Sequence, residues 1–506
     1  MSNIERSRWA RGKREIRRRL DQPVDGERPM FKASNIHYEF AERTRGVACG
    51  GIGAVQLLAR KVGLVDAIDR RLHLFKLHLP YHESDHVLNI AFNLLCGGTC
   101  LQDIERRRND AVFLDALDAE RIPDPTTAGD FCRRFAASDV LELQEAIDEA
   151  RLKVWAKQPA EFFREAVIDM DGSLVETSGE CKAGMDIAYD GTWGYHPLLV
   201  SLANTSELLC VINRSGNRPS HEGAAEAASD AMKLCFRGGF QRVLLRGDTD
   251  FTQTKHLDGW TDDPRVRFIF GIDAMPNLKE LAENIEEEQW RRLVRPSRRR
   301  PAAARRRRPK NAKEKVVRER EFENIVLESE QVAELDYRPT ACQKTYRLVV
   351  VRKNLSIERG EKRLFDEVRY FFYLTNDRER SADTIVFEAN GRCHQENLIE
   401  QLKNGVRSLQ APVDNLVSNW AYMVMASLAW DLKAWFALLL PEEGRWAEQH
   451  RDEKQTVLAM EFKKFVSYFM AMPCQIVRTS RRLLYRFLSW NPWQAVFLRL
   501  LTGLRC

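Results

Sequence analysis

No stretch of this 506-residue chain is apolar for long enough to span a bilayer. The richest candidate, Trp420 to Leu440, is broken by Asp431 and Lys433, whereas a span needs about 20 mostly apolar residues. It reads as a helix buried inside protein, and no membrane partner is expected. The opening residues MSNIERSRWARGKREIRRR lack the apolar centre of a secretory signal, so the cytoplasm is the expected compartment. Cysteine supplies no staples. The 11 thiols are odd in number and scattered, and the closest pair, Cys96 and Cys100, forms neither a disulfide framework nor a CxxC zinc pattern. A histidine group, His73, His78, His82 and His86, also falls short of zinc, because Pro80 interrupts its register and no second donor pattern completes it.

What is present describes a globular chain of two to four folding units. Hydrophobic residues make up 44% and charged residues 30%, too much apolar material for disorder. The net charge of +6 hides an uneven distribution. Between Arg291 and Lys315 there are thirteen Lys or Arg against one acid, Glu314, so the rest of the chain is net acidic. Weaker basic clusters sit at Arg6 to Arg19 and at Arg478 to Arg486. Local cation runs on acidic chains suit polyanions, since each neutralised phosphate releases counterions. Arg298, Arg299, Arg300, Arg305, Arg306, Arg307 and Arg308 are therefore candidate DNA contacts, although a solvated loop would look the same.

Hydrophobic periodicity divides the chain. Residues 1–160 read as a basic arm followed by helices such as GAVQLLARKVGLVDAIDRRL, a DNA-binding or dimerisation region. From 161 to 275 the period shortens: AVIDMDGSLVE, HPLLVSLAN, LLCVINRS, RVLLRGDTDF and RVRFIFGID read as strands with helical stretches between the later ones, an α/β sheet of mixed pairing. Residues 276–365 carry the basic run and β-prone pieces, a β-rich insertion. RYFFYLTND resumes the sheet in 366–435, which ends in helices, and 436–506 reads as a helical basic tail.

Acids at the ends of these elements carry the chemistry. Asp169 and Asp171 lie two apart on the first strand and so share a face, and period alone does not choose between them. Asp248 and Asp250 pose the same choice. In GRCHQENLIEQLKNG, Arg392, Glu396 and Lys403 fall at helical offsets 0, +4 and +11, within about 40° of one another on a straight α-helix. A surface salt-bridge ladder has similar spacing. A carboxylate flanked by cations also suits a metal site that must accept an anionic DNA backbone, because hard divalent ions want oxygen ligands and a metal pair can cut phosphodiesters. Trp193 and Tyr195 lie near this region and could stack on a base or cap the core.

In order along the chain, IDMDGS, GYHPLLV, NRSGNRPSHEGA, LLRGDTDF, FFYLTND and RCHQENLIEQLKNG followed by NLVSNWAYMVMASLAWDL resemble the DDE transposases of bacterial insertion sequences, specifically the IS1380 group of the IS4-like set. The resemblance spans roughly residues 160–435. It implies a ribonuclease H-like mixed sheet with a β-rich insertion, flanked by all-α regions. It also implies a catalytic and metal-binding triad of Asp171 (fallback Asp169), Asp248 and Glu396, with Arg392 and Lys403 contacting DNA. The signature's tyrosine position is Ala389, a departure. Two Mg²⁺ ions, with Mn²⁺ as substitute, would serve cleavage and strand transfer at the terminal inverted repeats and target DNA. The expected state is a homodimer on paired ends, nucleoid-associated in a bacterial cytoplasm. Two rival readings are a structure-specific nuclease of the same core without strand transfer and a non-catalytic DNA-binding derivative of a transposase.

Overall fold

The computed structural model describes residues 3–23, 30–31, 33–40, 44–77, 80–177, 179, 181–295, 323–359, 362–479 and 482–505. The seven candidate arginines from Arg298 to Arg308 lie outside the described residues.

The chain opens with the basic helix α1 (Asn3–Leu20) and a short strand β1 (Gly46–Val47). A helical layer follows: α2 (Ile52–Lys61), α3 (Leu64–Arg71), α4 (Glu83–Leu95), α5 (Ile104–Arg108), α6 (Ala111–Leu117), α7 (Pro125–Cys132) and α8 (Ala137–Trp155). Local chemistry starts these helices where the sequence suggests. Asp124 caps α7 by accepting the Thr127 amide at 2.8 Å, and Pro125 occupies the first turn. His86 is core rather than a metal ligand: it stacks on Phe131 with centroids 4.4 Å apart, and burial pushes its pKa down to about 4, leaving it neutral.

The strands β2 (Ala166–Gly172), β3 (Val175–Glu176), β4 (Asp186–Ile187), β5 (Trp193–Tyr195), β6 (Leu198–Leu202), β7 (Glu207–Ile212), β8 (Val243–Gly247) and β9 (Val266–Ile272) come next, with α9 (Ala224–Arg237) between β7 and β8 and α10 (Thr254–Asp262) between β8 and β9. β3, β5 and β4 form a small sheet of their own. The main sheet runs β7-β6-β2-β8-β9, with β2, β8 and β9 parallel and β6 and β7 joined to β2 by antiparallel pairing. Two hairpin-linked antiparallel strands followed by two helical crossovers constitute the ribonuclease H-like topology, as expected. After α11 (Pro276–Glu283), β10 (Arg291–Arg292), β11 (Glu323–Tyr337), β12 (Tyr346–Arg359) and β13 (Lys362–Thr375) extend this same sheet instead of forming a separate one. Only the end of β13, Phe372–Thr375, pairs with β9, so the rest of the long ribbon projects beyond the core. The expected boundary at 365 falls inside β13, whose pairing with β12 runs from Lys362 to Thr375 with a register shift between Arg363 and Phe365.

Helices α12 (Ala382–Gly391) and α13 (Cys393–Glu400) cover one face of the sheet and lead through a π turn, Gln401–Gly405, to α14 (Leu416–Leu438), α15 (Ala447–Leu458), α16 (Phe462–Phe465), strands β14 (Cys474–Arg478) and β15 (Leu483–Phe487), and α17 (Gln494–Arg505). The tail is thus not wholly helical. β14 and β15 make a hairpin whose first strand also pairs with β1, tying the two ends of the chain together.

α14 is the buried helix expected at Trp420 to Leu440, and every residue from Ser418 to Leu438 is buried. Among the described residues no helix is long and apolar enough to cross a membrane. The two charges that interrupt it are both satisfied inside. Asp431 accepts from Arg151 Nη2 at 2.9 Å and from the Leu208 amide at 2.9 Å, while Lys433 donates to the Leu458 carbonyl at 2.7 Å. Arg151 of α8 also donates to Glu207 of β7 at 3.3 Å and pairs with Asp148. Glu207 takes three further donors, Trp155, Trp435 and Thr205, at 2.6–3.0 Å. One buried ionic cluster therefore joins the helical layer, the sheet edge and the central helix.

Burial pushes Asp431 up to about 7, against the pull of Arg151, and pushes Lys433 down to about 7. Folded Asp431 holds its proton where the unfolded chain has lost it, so its contribution to stability falls as pH rises from the ordinary 3.8 to about 7. Lys433 acts in the opposite sense: its contribution falls as pH drops from the ordinary 10.5 through about 7. These two groups thus give the stability curve a minimum near neutrality. Urea unfolding at pH 5, 7 and 9 should show Asp431→Asn flattening the acid limb and Lys433→Met the basic limb.

Candidate active site

Strand alternation builds the site. In the parallel β2–β8 ladder Asp169 pairs with Arg246. Two residues further on, on the same face, Asp171 closes β2 beside Asp248, which follows β8. The two aspartates of β2 have different fates. Asp169 is 1% exposed and accepts a bidentate pair from Arg246, Nε to Oδ1 at 2.7 Å and Nη2 to Oδ2 at 2.8 Å. The third guanidinium nitrogen donates to the Glu388 carbonyl of α12 at 2.8 Å. Asp169 is consumed in structure, and Asp171 is left partly exposed.

α12 seats on this face over an apolar patch that includes Leu244, Ile269, Val349, Ile385 and Val386, and Ala389 packs against the same patch. At Gly391 a Cβ would lie 2.6 Å from Arg246 Nη1, so only glycine allows the helix end to approach this closely. The chain then turns at Arg392 into α13. Arg392 Nη1 lies 3.1 Å from Asp171 Oδ2 and 3.6 Å from Asp248 Oδ2, bridging both carboxylates. Gln395 is buried and joins α13 to Ser201 of β6.

The straight helix assumed from the sequence is interrupted twice, at the Arg392 junction and at the π turn that carries Lys403. π turns open the helix and recur at functional positions. Lys403 still lies within electrostatic reach of Asp171 and Glu400, which raise its pKa, while burial lowers it by more. Glu396 is exposed on α13 and does not join the two aspartates. Among the described residues no three Asp, Glu, His or Cys side chains stand close enough to hold a metal ion. Two of the three expected ligands are therefore assembled.

Burial drives Asp171 up to about 6, with Asp248 adding to the rise and Arg392 opposing it. Asp248 is raised by burial and by Asp250 and Asp273, again opposed by Arg392. Asp273 was not singled out in the sequence, although it follows β9 by one residue as Asp248 follows β8. His196 was missed as well. It is buried, its Nδ1 lies 2.9 Å from the Arg218 carbonyl, and a Cβ on Gly172 would lie 2.5 Å from its Nε2, which puts the ring against the residue after Asp171. Of the two aromatics, Tyr195 is core, with its hydroxyl on the Ala183 carbonyl at 3.0 Å, and Trp193 is half exposed.

A family model described as the transposase DDE domain, group 1, matches residues 34–506. The chain belongs to the DDE transposase family. Among solved structures it is similar to a cryo-EM structure of the piggyBac transposase synaptic complex with hairpin DNA. The identity is 11%, the match covers 82% of this chain and 87% of that one, and the TM-score is 0.34. No curated protein matches. DDE transposase domains generally use divalent metal ions, and the donor set here has the right chemistry: two carboxylate oxygens converge on one cationic nitrogen, as hard oxygen donors would on a divalent ion.

The two aspartates of β2 should separate in stability measurements. Asp169→Asn leaves Arg246 buried beside a neutral amide and should cost about 3–5 kcal/mol. Asp171→Asn should leave stability unchanged or raise it, because burial and Asp248 already disfavour the charge there. Urea unfolding at pH 7, followed by tryptophan fluorescence, measures both.

Proposed function

We propose that this chain is the cut-and-paste transposase of an IS1380-group insertion sequence, binding terminal inverted repeats and carrying out DNA strand cleavage and strand transfer. The observation that carries the reading is the convergence of Asp171 and Asp248 on a single cation at the C-terminal ends of adjacent parallel strands, in a chain of the DDE family. In this reading Asp171, Asp248 and Glu396 hold two Mg²⁺ ions, and Mn²⁺ substitutes. Bound there, the ions would supply Lewis-acid activation of the attacking oxygen and stabilisation of the departing one. Phosphodiester hydrolysis needs a barrier reduction on the order of 20 kcal/mol, so the protein must also fix the reacting groups in line.

That positioning falls to the chain's own cations. Arg392 and Lys403 flank the acids and suit the phosphates on either side of the scissile bond, which would otherwise be repelled by the carboxylates. The exposed basic face of α1 and the arginine run at 298–308 suit the DNA backbone more generally. Sequence-specific contacts to the repeats fall to the N-terminal helices, the ribbon and the tail. A homodimer on paired ends supplies one site per end, in the bacterial cytoplasm at the nucleoid. Two observations, Glu396 standing apart from the aspartates and Ala389 in the tyrosine position, favour the non-catalytic derivative as the second reading.

A plasmid carrying the gene's native flanking DNA, incubated with Mg²⁺ or Mn²⁺, tests these readings together. The transposase reading expects excision and joining by the wild type and none by Asp248→Ala. Cleavage without joining supports the nuclease instead. Equal DNA binding by both proteins with no cutting supports the non-catalytic derivative.

A further inference from the structure

Resting on the reading of Asp171 and Asp248 as metal ligands, we infer that Arg392 is the site's resident counter-cation, which closes the carboxylate pair in the metal-free protein and must swing out as a divalent ion is taken up.

Two observations carry the inference, and a consequence follows from them. First, one guanidinium nitrogen reaches both acids, at 3.1 and 3.6 Å, from a helix that neither acid belongs to. The oxygens it bridges are the ones a shared ion would take. Metal–oxygen distances of about 2.1 Å leave no room for a second cation between the same oxygens, so occupancy by guanidinium and by metal is exclusive.

Second, the bridge is reversible in construction. Arg246 is 6% exposed, with its guanidinium divided among Asp169 and the Glu388 carbonyl, and cannot leave. The Arg392 side chain is 19% exposed, and among the described residues its guanidinium pairs with the two aspartates alone. Its backbone sits at the junction between α12 and α13, where the side chain can swing without unwinding either helix.

In consequence, the released guanidinium would remain beside the site, where a DNA phosphate would offer it a better bidentate partner than water. Metal uptake and DNA engagement then favour each other, and by linkage the coupling is reciprocal. A chain searching DNA would hold its carboxylates closed until a backbone phosphate draws Arg392 away.

The test measures Mn²⁺ affinity of the full-length, metal-free chain from the free-ion electron paramagnetic resonance signal, without DNA. Arg392→Gln should bind Mn²⁺ about tenfold or more tightly than wild type, the scale of losing one charge-assisted competitor. Arg392→Lys should stay near wild type, and Asp171→Asn should lose the site. A second readout needs no variant: phenylglyoxal modification of Arg392, followed by mass spectrometry, should speed up when Mn²⁺ is added to wild type. Equal or weaker binding by Arg392→Gln, with Asp171→Asn still losing the ion, overturns the inference and leaves the metal reading intact. Unchanged modification of Arg392 on saturation with Mn²⁺ overturns it too, and decides the matter if Arg392→Gln does not fold. Wild-type affinity in Asp171→Asn removes the ligand assignment, and the inference with it.

Discussion

The bidentate pair between Asp169 and Arg246 sets the geometry on which the site depends. Both side chains are almost wholly buried, so both have given up hydration, and a lone charge there would cost several kcal/mol. The pair is tolerable because every guanidinium nitrogen is used, the last of them on the Glu388 carbonyl. That triple engagement locks β2 to β8 in one register and fastens the end of α12 to their common face. With a period of two along the strands, the next pair outward is Asp171 beside Asp248, and the next residues of the covering helix bring in Arg392. A one-residue slip would turn all these groups to the opposite face.

The Arg151 cluster plays the same part on a larger scale. It sits where α8, β7 and α14 meet, and Glu207 at its centre has four donors from two helices and the turn before its own strand. Apolar packing supplies most of the cohesion of α14, but apolar contacts tolerate sliding, whereas an ion pair with fixed indole donors does not. The price is an acid and a lysine two residues apart on a buried helix, each displaced toward neutrality.

Much of the fold was legible in the sequence because it rests on local period. The strands of the core and the buried helix that carries Asp431 and Lys433 follow from spacing and composition. What was not legible depends on partners distant in the chain. The choice between Asp169 and Asp171 required knowing that Arg246 lies opposite Asp169, which is a register and not a motif. That β11 to β13 continue the main sheet depends on four pairs with β9. The hairpin near the C-terminus was hidden because CQIVR and LLYRF sit among aromatic residues that also suit a packed helix. The helical face of Arg392, Glu396 and Lys403 rested on an ideal helix, and neither the Arg392 junction nor the π turn announces itself in residue type.

The position of Glu396 has an electrostatic logic. Arg392 stands at the junction before α13 and reaches the aspartates, whereas Glu396, four residues further on within α13, is exposed. Burial raises both Asp171 and Asp248, and Asp248 adds to the rise of Asp171 to about 6. A third carboxylate brought to them without a cation would meet repulsion from both and lose its own hydration. Gln395, the residue before Glu396, is buried against Ser201 and holds α13 in the rotation that leaves Glu396 in solvent. The charges thus favour this arrangement, with Arg392 inward and Glu396 outward. A third carboxylate beside the aspartates would need more positive charge than Arg392 alone supplies.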